Sequence, residues 1–175
     1  MKGLIRSLLA VVIVTTAIVT VDLDDLIPVV AQHKPIVYAD FNDSTKKEIT
    51  CLADNIYYEA RGETHIGKKA VAYTTLNRLE DGRWEDTICG VVKQRTGTVC
   101  QFSWVCDASI DLRKKDERLY KVCRDIAVSV YIDYAPSNDV TNGSVFYHAN
   151  FVSPNWKNVT YVKTIGNHLF YRTRT

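Results

Sequence analysis

The sequence lacks the residue spacings that mark common zinc sites. No C-x-x-C or H-x-x-x-H pair occurs among its five cysteines and four histidines. Its basic residues never form a run of five, and a formal net charge of +2 is too small to indicate a nucleic-acid partner. The sequence also has no internal repeat and no low-complexity segment. We therefore expect no metal, no cofactor and no nucleic-acid partner.

The size and composition of the chain suit one globular domain. It has 175 residues, of which 46% are hydrophobic and 24% charged, so a sizeable core is available. The pattern of the sequence places helices first and short strands last. We predict a monomeric α+β domain that is mainly helical, with a small antiparallel sheet near the C-terminus.

The N-terminal segment has the charge pattern of an exported or anchored protein. Lys2 and Arg6 precede an uncharged stretch over residues 7–21, and Asp22 follows it directly. This order predicts an N-terminus in the cytoplasm. The apolar span over residues 4–21 is at the lower limit for a membrane helix and long for a signal-peptide core. We predict a signal-anchor, with a cleaved signal peptide as the alternative.

These features divide the chain into three parts. Residues 1–21 are predicted to be the signal-anchor or signal peptide, and residues 22–43, with their prolines and acids, a linker. Residues 44–175 are predicted to form the folded domain. We expect that domain to be held at the inner membrane, or released to the periplasm or cell wall.

The five cysteines all lie in the part of the chain that would reach an oxidising compartment, where disulfides form. Cys100 and Cys106 are close in sequence, so a disulfide between them is our first expectation. The sequence does not determine which cysteines pair with one another. Because their number is odd, one thiol must stay free. Cys51 and Cys123 fall on apolar helix faces, and we predict that both are small buried hydrophobic residues.

Hydrophobic periodicity and turn residues predict the order of the elements. Thr45 and Glu48 have the spacing of a capping box at the start of the first helix, and Gly62 is the expected left-handed end. Gly166 and Asn167 have the composition of a hairpin turn. The predicted elements are helices over 45–62, 67–79 and 112–135, an irregular stretch over 84–110, and strands over 144–148, 159–165 and 168–172.

Glu59 is the candidate catalytic residue. It lies about 80° around the first helix from the centre of the apolar stripe that Ile49 and Ala60 mark, which is the edge of that stripe. Partial burial and the negative end of the helix dipole both disfavour a charged carboxylate. We therefore expect a raised pKa, as a general acid working near neutral pH requires.

Glu59 begins the first of five characteristic blocks of sequence. Together they resemble the spore cortex-lytic, cell wall hydrolase family of peptidoglycan-cleaving enzymes over about residues 45–173. The resemblance implies a lysozyme-like fold and a lytic-transglycosylase-like or lysozyme-like site with one essential Glu, which aligns with Glu59. The blocks are E-A-R-G-E at 59–63, C-Q-F-S-W-V-C-D at 100–107, F-Y-H-A-N at 146–150, P-N-W at 154–156 and I-G-N-H-L-F-Y-R at 165–172.

The family implies cleavage of the β-1,4 bond between N-acetylmuramic acid and N-acetylglucosamine in peptidoglycan glycan strands. Most glycosidases use two carboxylates, whereas lytic transglycosylases, as a class, use one Glu as acid and then as base and leave a 1,6-anhydro ring. The sequence offers one well-placed acid, so we favour the transglycosylase. Hydrolysis by a muramidase is the alternative, with a second carboxylate from Glu63, Asp86, Asp107 or Asp111.

Sugar sites need aromatic rings for pyranose faces and fixed polar groups for hydroxyls. We expect Phe102, Phe146 and Phe170 to be core residues. His168 is expected either to orient a carbonyl or carboxylate or to be a structural histidine. The candidate substrate-binding residues are Glu63, Gln101, Ser103, Trp104, Tyr147, His148, His168 and Tyr171.

Other functions stay open at this point. A peptidase or amidase acting on the peptide stems would use Cys100 or Cys106 with His148 or His168, but nothing in the sequence lowers the thiol pKa. A membrane-anchored wall-binding module would keep the aromatic residues without needing Glu59. A phage endolysin, a bacterial wall-remodelling enzyme and a germination enzyme would all suit the sequence.

Overall fold

The computed structural model describes residues 34–174, in which five helices precede a three-stranded sheet. A short 3₁₀ turn, Tyr38–Asp40, comes first, and another, Pro136–Asn138, follows the last helix. The elements are α1 (Asp43–Ala60), α2 (His65–Asp81), α3 (Ile88–Lys93), β1 (Arg95–Thr96), β2 (Val99–Cys100), α4 (Ser103–Cys106), α5 (Glu117–Asp133), β3 (Phe146–Ala149), β4 (Val159–Ile165) and β5 (His168–Thr173). The predicted mixture of helices and a small C-terminal antiparallel sheet is confirmed.

The first helix begins and ends differently from the prediction. The side chain of Asn42 accepts a hydrogen bond from the Thr45 N–H and caps α1, whereas Glu48 accepts from the Cys89 N–H in α3. The predicted capping box is therefore wrong, because its acid is engaged by a distant backbone group. The helix ends at Ala60, and Gly62 does not take the left-handed conformation expected of it.

Helix α1 lies at the centre of the core and packs against α2, α3 and α5. Its apolar stripe, with Ile49, Leu52 and Ile56 fully buried, meets small residues of α2 and the apolar face of α5. Helix α2 is buried over most of its length and ends at Gly82, whose φ of 72° is the left-handed conformation that glycine adopts freely.

The last helix is shorter than predicted. Helix α5 begins at Glu117 rather than near residue 112, because the carboxylate of Asp116 caps it by accepting from the Leu119 N–H. It ends at Asp133, shortly before Pro136. The stretch over 84–110, predicted as irregular, contains α3, the β1–β2 hairpin and α4, each too short to show a hydrophobic period.

The C-terminal sheet is antiparallel, with strand order β3-β5-β4. Its central strand, β5, is the last of the elements described within residues 34–174. Gly166, with φ 58°, makes the predicted turn between β4 and β5, and β3 starts two residues later than predicted. Alternation along β3 turns Tyr147 towards the helices and places Phe146 and His148 on the opposite face.

Two disulfides link described cysteines. The expected pair Cys100–Cys106 is confirmed, and it joins β2 to α4. A second disulfide joins Cys51 of α1 to Cys89 of α3, so Cys51 is buried as predicted but is half of a disulfide. Cys123 is the free thiol and is fully buried, as predicted.

The predicted membrane segment, residues 1–21, lies outside the described residues. Within residues 34–174, the helices are too short or too polar to cross a membrane. Tyr38 and Phe41, which belong to the predicted linker over 22–43, pack against the helical core. The other domain boundaries stay predictions.

Candidate active site

Glu59 is held in the last turn of α1 and is neither fully buried nor fully exposed, as its position on the stripe edge predicted. Its carboxylate Oε2 accepts a hydrogen bond of 3.0 Å from the hydroxyl of Tyr147 in β3. These two residues are 88 positions apart. The contact therefore joins the first helix to the C-terminal sheet.

The environment of Glu59 favours its protonated form. Burial raises the pKa of Glu59, while the Tyr147 hydrogen bond and the positive charge of Arg78 act in the opposite direction. The predicted direction is confirmed, with burial as the main cause. Burial also raises the pKa of Tyr147 well above its ordinary value, and the charge of Glu59 adds to this effect. Tyr147 therefore stays a hydrogen-bond donor.

A cleft of about 250 Å³ opens beside the Glu59 carboxylate. Of the residues that the sequence predicted for substrate binding, Gln101, Ser103 and Tyr147 line it. Gln101 and Ser103 are exposed, so their side chains are free to meet a ligand. The remaining lining residues are Arg78, Cys100, Phe102 and Trp156.

The cleft wall at residues 100–104 is fastened at two points. The disulfide of Cys100 fixes one end. At the other, the indole Nε1 of Trp104 donates to the Asn55 Oδ1 at 3.0 Å, and Asn55 in turn donates to Thr75 Oγ1. Trp104 is buried and stacks on Tyr58 instead of lining the cleft. Its expected contact with substrate is therefore not supported, and it positions the wall.

Arg78 is a cleft residue that sequence reasoning did not select, because it looked like a polar helix end. It is only 3% exposed, and its Nε donates to the Val145 carbonyl at 2.7 Å. The guanidinium carbon lies 4.9 Å from the centre of the Phe102 ring. Burial lowers the pKa of Arg78 to about 10, so the side chain keeps its charge at neutral pH. It gives the cleft one fixed positive group.

The strand that carries Tyr147 is anchored to α2 by a buried polar network. Asn77 Nδ2 donates to the side chains of Asp139 and Thr141 and to the backbone carbonyl of Ser144. The hydroxyl of Tyr134 donates to the other end of the Asn77 amide. Because these groups satisfy one another, the loop into β3 has one defined position.

Glu63 does not reach the cleft. Its two carboxylate oxygens accept hydrogen bonds from the backbone N–H and the side-chain Nδ2 of Asn167, at 3.2 and 2.9 Å. A Cβ at Gly166 would collide with this carboxylate, so glycine is required there for space as well as for its positive φ. Glu63 therefore fastens the β4–β5 turn to the α1–α2 connection, a different role from the one predicted.

The two histidines of the sheet lie on opposite faces. His148 stacks on Tyr171, and its Nε2 is 3.0 Å from the Tyr171 hydroxyl, so both lie on the outer face, away from the Glu59 carboxylate. His168 is buried behind Tyr147, with its ring centre 5.2 Å from that of Tyr147. Burial lowers the pKa of His168, which favours its neutral form. Direct substrate contact by these three residues stays a prediction.

A family model described as Cell Wall Hydrolase matches residues 62–171, more than half of the chain. The chain belongs to the cell wall hydrolase family. A spore cortex-lytic enzyme from Oceanobacillus iheyensis is 28% identical over 127 residues, which are 72% of this chain and 42% of that protein. This cell wall hydrolase thus spans less than half the length of that relative.

Two solved structures share the fold of this cell wall hydrolase. The catalytic domain of the germination-specific lytic transglycosylase SleB from Bacillus anthracis has a TM-score of 0.57 at 24% identity, and the match covers 76% of this chain and 98% of that one. The catalytic domain of the Bacillus cereus SleB protein has a TM-score of 0.53 at 26% identity, covering 73% and 91%. The family match begins at Gly62, so Glu59 lies just before it.

Most of the alternative catalytic groups of this cell wall hydrolase are engaged elsewhere, and Asp86 does not line the cleft. The carboxylates of Asp107 and Asp111 accept hydrogen bonds from Ser109 and Arg113, and neither lines the cleft of Glu59. Cys100 and Cys106 are disulfide-bonded, so neither has a thiol to serve as the nucleophile of a Cys-His peptidase.

Proposed function

We propose that the chain cleaves the β-1,4 bond between N-acetylmuramic acid and N-acetylglucosamine in peptidoglycan, as a lytic transglycosylase that uses Glu59 alone. The observation that supports a single acid is the composition of the cleft. Among the described residues that line it, Glu59 carries the only carboxylate. A hydrolase of the usual kind needs a second carboxylate across the scissile bond.

In the first step, protonated Glu59 donates its proton to the glycosidic oxygen. The raised pKa keeps that proton available near neutral pH, and the bond from the muramic acid C1 to this oxygen breaks. The carboxylate that forms is stabilised by the hydrogen bond from Tyr147 and by the charge of Arg78. Both groups oppose the effect of burial, so they help Glu59 release its proton.

In the second step, the Glu59 carboxylate accepts the proton of the C6 hydroxyl of the same muramic acid. The C6 oxygen attacks C1 and closes the 1,6-anhydro ring, and Glu59 is protonated again for the next cycle. Water is not consumed. Gln101 and Ser103, which are exposed on the cleft wall, are placed to donate hydrogen bonds to sugar hydroxyls and acetamido groups.

Mass analysis of muropeptides after digestion of purified sacculi tests this mechanism. A transglycosylase releases fragments with anhydro-muramic ends, each lighter by one water than the product of hydrolysis. Reducing ends would instead show a muramidase. Intact glycan strands with cleaved peptide stems would contradict both.

Substitution of the acid tests the role of Glu59. Glu59→Gln should lower turnover by roughly 10²–10⁴-fold, the usual contribution of a general acid and base. Glu63→Gln is the matched control, because Glu63 is a nearby carboxylate that binds Asn167 outside the cleft. Its effect should be far smaller. Equal losses for the two variants would remove Glu59 from its role.

We also propose export of the chain, with residues 4–21 as the anchor or signal. The two disulfides support an oxidising compartment for the catalytic domain. Fractionation of producing cells, followed by unfolding in denaturant and alkylation of free thiols before reduction, tests this proposal. One alkylated cysteine in the membrane or periplasmic fraction is expected, and five in the cytosolic fraction would contradict it.

A further inference from the structure

The outer face of the C-terminal sheet carries a continuous group of aromatic rings that the chemistry at Glu59 does not use. Neighbouring ring centres along it are 5.3 to 5.8 Å apart. We call it the outer aromatic face, and we propose that it binds a further stretch of the glycan strand whose bond is cut at Glu59. Its members, in spatial order, are Trp84, Phe146, Trp156, His148, Tyr171 and Tyr161.

Packing of the core does not require aromatic rings on this face of the sheet. Tyr161 is 53% exposed and Trp156 39% exposed, and the other members are half-buried. The sheet already has a core side, where Tyr147 and Phe170 pack against one another under the helices. A second face covered with rings is typical of a surface that meets a ligand.

The chemistry of the face suits a sugar polymer. Its rings offer flat apolar area for pyranose faces. The Tyr161 and Tyr171 hydroxyls, each bonded to one protein neighbour, have capacity for a further hydrogen bond at its edges. The described strand residues that alternate onto this face include no carboxylate. Arg83 lies over the Trp84 ring at 4.7 Å, and its guanidinium is paired with the Asp81 carboxylate.

Trp156 connects this face with the cleft. It lines the cleft beside Glu59, and its ring also contacts Phe146, His148 and Tyr171. The cleft itself, at about 250 Å³, is smaller than the roughly 300–1,000 Å³ of most small-molecule sites. A polymer cut at Glu59 must therefore leave the cleft, and the surface that adjoins it at Trp156 is the outer aromatic face.

This inference rests on the proposed function for the identity of the ligand, but its test does not require cleavage. The full chain carrying Glu59→Gln is incubated with purified sacculi, and the bound fraction is measured by co-sedimentation. Adding Tyr161→Ala should weaken binding by roughly fivefold, as expected for losing one aromatic contact. Tyr161→Phe keeps the ring and should keep most of the binding.

Tyr131→Ala is the matched control. Tyr131 is an exposed tyrosine of α5 whose ring contacts Phe41, away from the sheet. It should leave sacculus binding unchanged. Equal binding by the Tyr161→Ala, Tyr161→Phe and Tyr131→Ala chains would overturn the proposal, and melting curves of all three show whether any loss reflects folding.

A second measurement separates the face from the cleft. With Glu59 intact, Tyr161→Ala should lower the release of fragments from long glycan strands more than it lowers the turnover of a tetrasaccharide. An unchanged ratio of the two rates would contradict the proposal. So would a wild-type dimer, seen by sedimentation velocity, that Tyr161→Ala dissociates, because the face would then be covered by a second copy.

The two proposals fail in different ways. If the wild-type chain yields no glycan fragments while Tyr161→Ala still reduces binding to sacculi, the catalytic proposal falls and the binding face stands. If the wild-type chain cleaves and Tyr161→Ala binds as tightly as its parent, the reverse holds.

Discussion

At the scale of single residues, Glu59 is held between opposing influences. Burial favours its protonated form, and Tyr147 and Arg78 favour its carboxylate. In the proposed mechanism Glu59 first gives and then takes a proton, so both of its forms must be within reach at the working pH. The Tyr147 hydroxyl donates the hydrogen bond to the Glu59 carboxylate. Removing that one hydroxyl therefore changes the Glu59 pKa with little change to the packing.

Tyr147→Phe should shift the pH dependence of activity. Loss of the hydroxyl removes a hydrogen bond that lowers the Glu59 pKa, so that pKa rises further. The alkaline limb of the kcat/KM profile, which reports loss of the protonated acid, should move to higher pH. Maximal kcat should fall by roughly tenfold, because the carboxylate loses about 1.5 kcal/mol of stabilisation. A profile measured on sacculi from pH 5 to 9 tests this prediction.

Tyr58→Phe is the control for this experiment. The Tyr58 hydroxyl donates to the Leu112 carbonyl and does not line the cleft of Glu59, so its loss should leave the pH profile in place. A shift of the same size in both variants would show that the Tyr147 hydroxyl has no specific effect on Glu59.

Glu59 also makes the stability of the fold depend on pH. Since the pKa of Glu59 is higher in the folded than in the unfolded chain, the folded state holds the proton more tightly between the two values. Stability therefore falls as pH rises through that window, and the full cost is present above the folded pKa. Glu59→Gln should raise the free energy of unfolding at pH 8 by roughly 0.5–2 kcal/mol, the gain that a single stabilising substitution commonly gives.

Thermal unfolding at two pH values measures this effect. The gain in melting temperature of Glu59→Gln over wild type should shrink as pH falls to 4, where the wild-type carboxyl is mostly protonated in both states. Glu80→Gln, which changes an exposed carboxylate, should show no such dependence. A gain of equal size at both pH values would contradict the linkage.

At the scale of elements, one disulfide stabilises the helical core and the other stabilises the wall of the cleft. Cys51–Cys89 joins α1 to α3 across a separation of 38 residues and lies in the core. Cys100–Cys106 closes a loop with a separation of 6 residues and holds the cleft wall. Loop-closure entropy makes the first the larger contributor to stability, and geometry makes the second the larger contributor to activity.

Paired serine variants should separate these effects. Replacing Cys51 and Cys89 should cost roughly 4 kcal/mol of unfolding free energy, against roughly 2 kcal/mol for Cys100 and Cys106. At a temperature where both variants are folded, the Cys100–Cys106 pair should show the larger loss of turnover. Denaturant melts and sacculus digestion measure the two quantities, and the opposite ranking in either would contradict the assignment.

The elements also show what a sequence alone can predict. Helices α1, α2 and α5 were predicted because their apolar residues recur at helical spacing, and the β4–β5 turn because Gly166 and Asn167 have turn chemistry. Helices α3 and α4 are too short for a period to be visible. The buried roles of Arg78 and Asn55 depend on partners far along the chain, so no local pattern could reveal them.

At the scale of the whole molecule, long-range contacts join the first helix to the last strands. Tyr147 reaches back to Glu59, and Asn167 reaches back to Glu63 across 104 residues. The sheet that carries Tyr147 depends on β5, because β3 and β4 each pair with β5 and not with one another. The site is therefore complete only when β5 is in place.

Truncation tests this dependence. A chain ending after Ile165 lacks β5, so β3 and β4 lose their common partner and Tyr147 its support. Activity on sacculi should fall by at least about a hundredfold, comparable with loss of the general acid. A chain ending after Thr173 retains β5 and is the control. Substantial activity in the shorter chain would show that the site assembles without the sheet.

The position of β5 has a consequence for the cell that makes this protein. Synthesis delivers Glu59 early, and Trp156 completes the set of cleft residues before the first residue of β5, His168, is made. Products released before β5 is made thus contain every described residue that lines the cleft, without the strand that assembles the cleft. We expect unfinished copies to be inactive, because the order of translation supplies this strand after the residues that line the cleft.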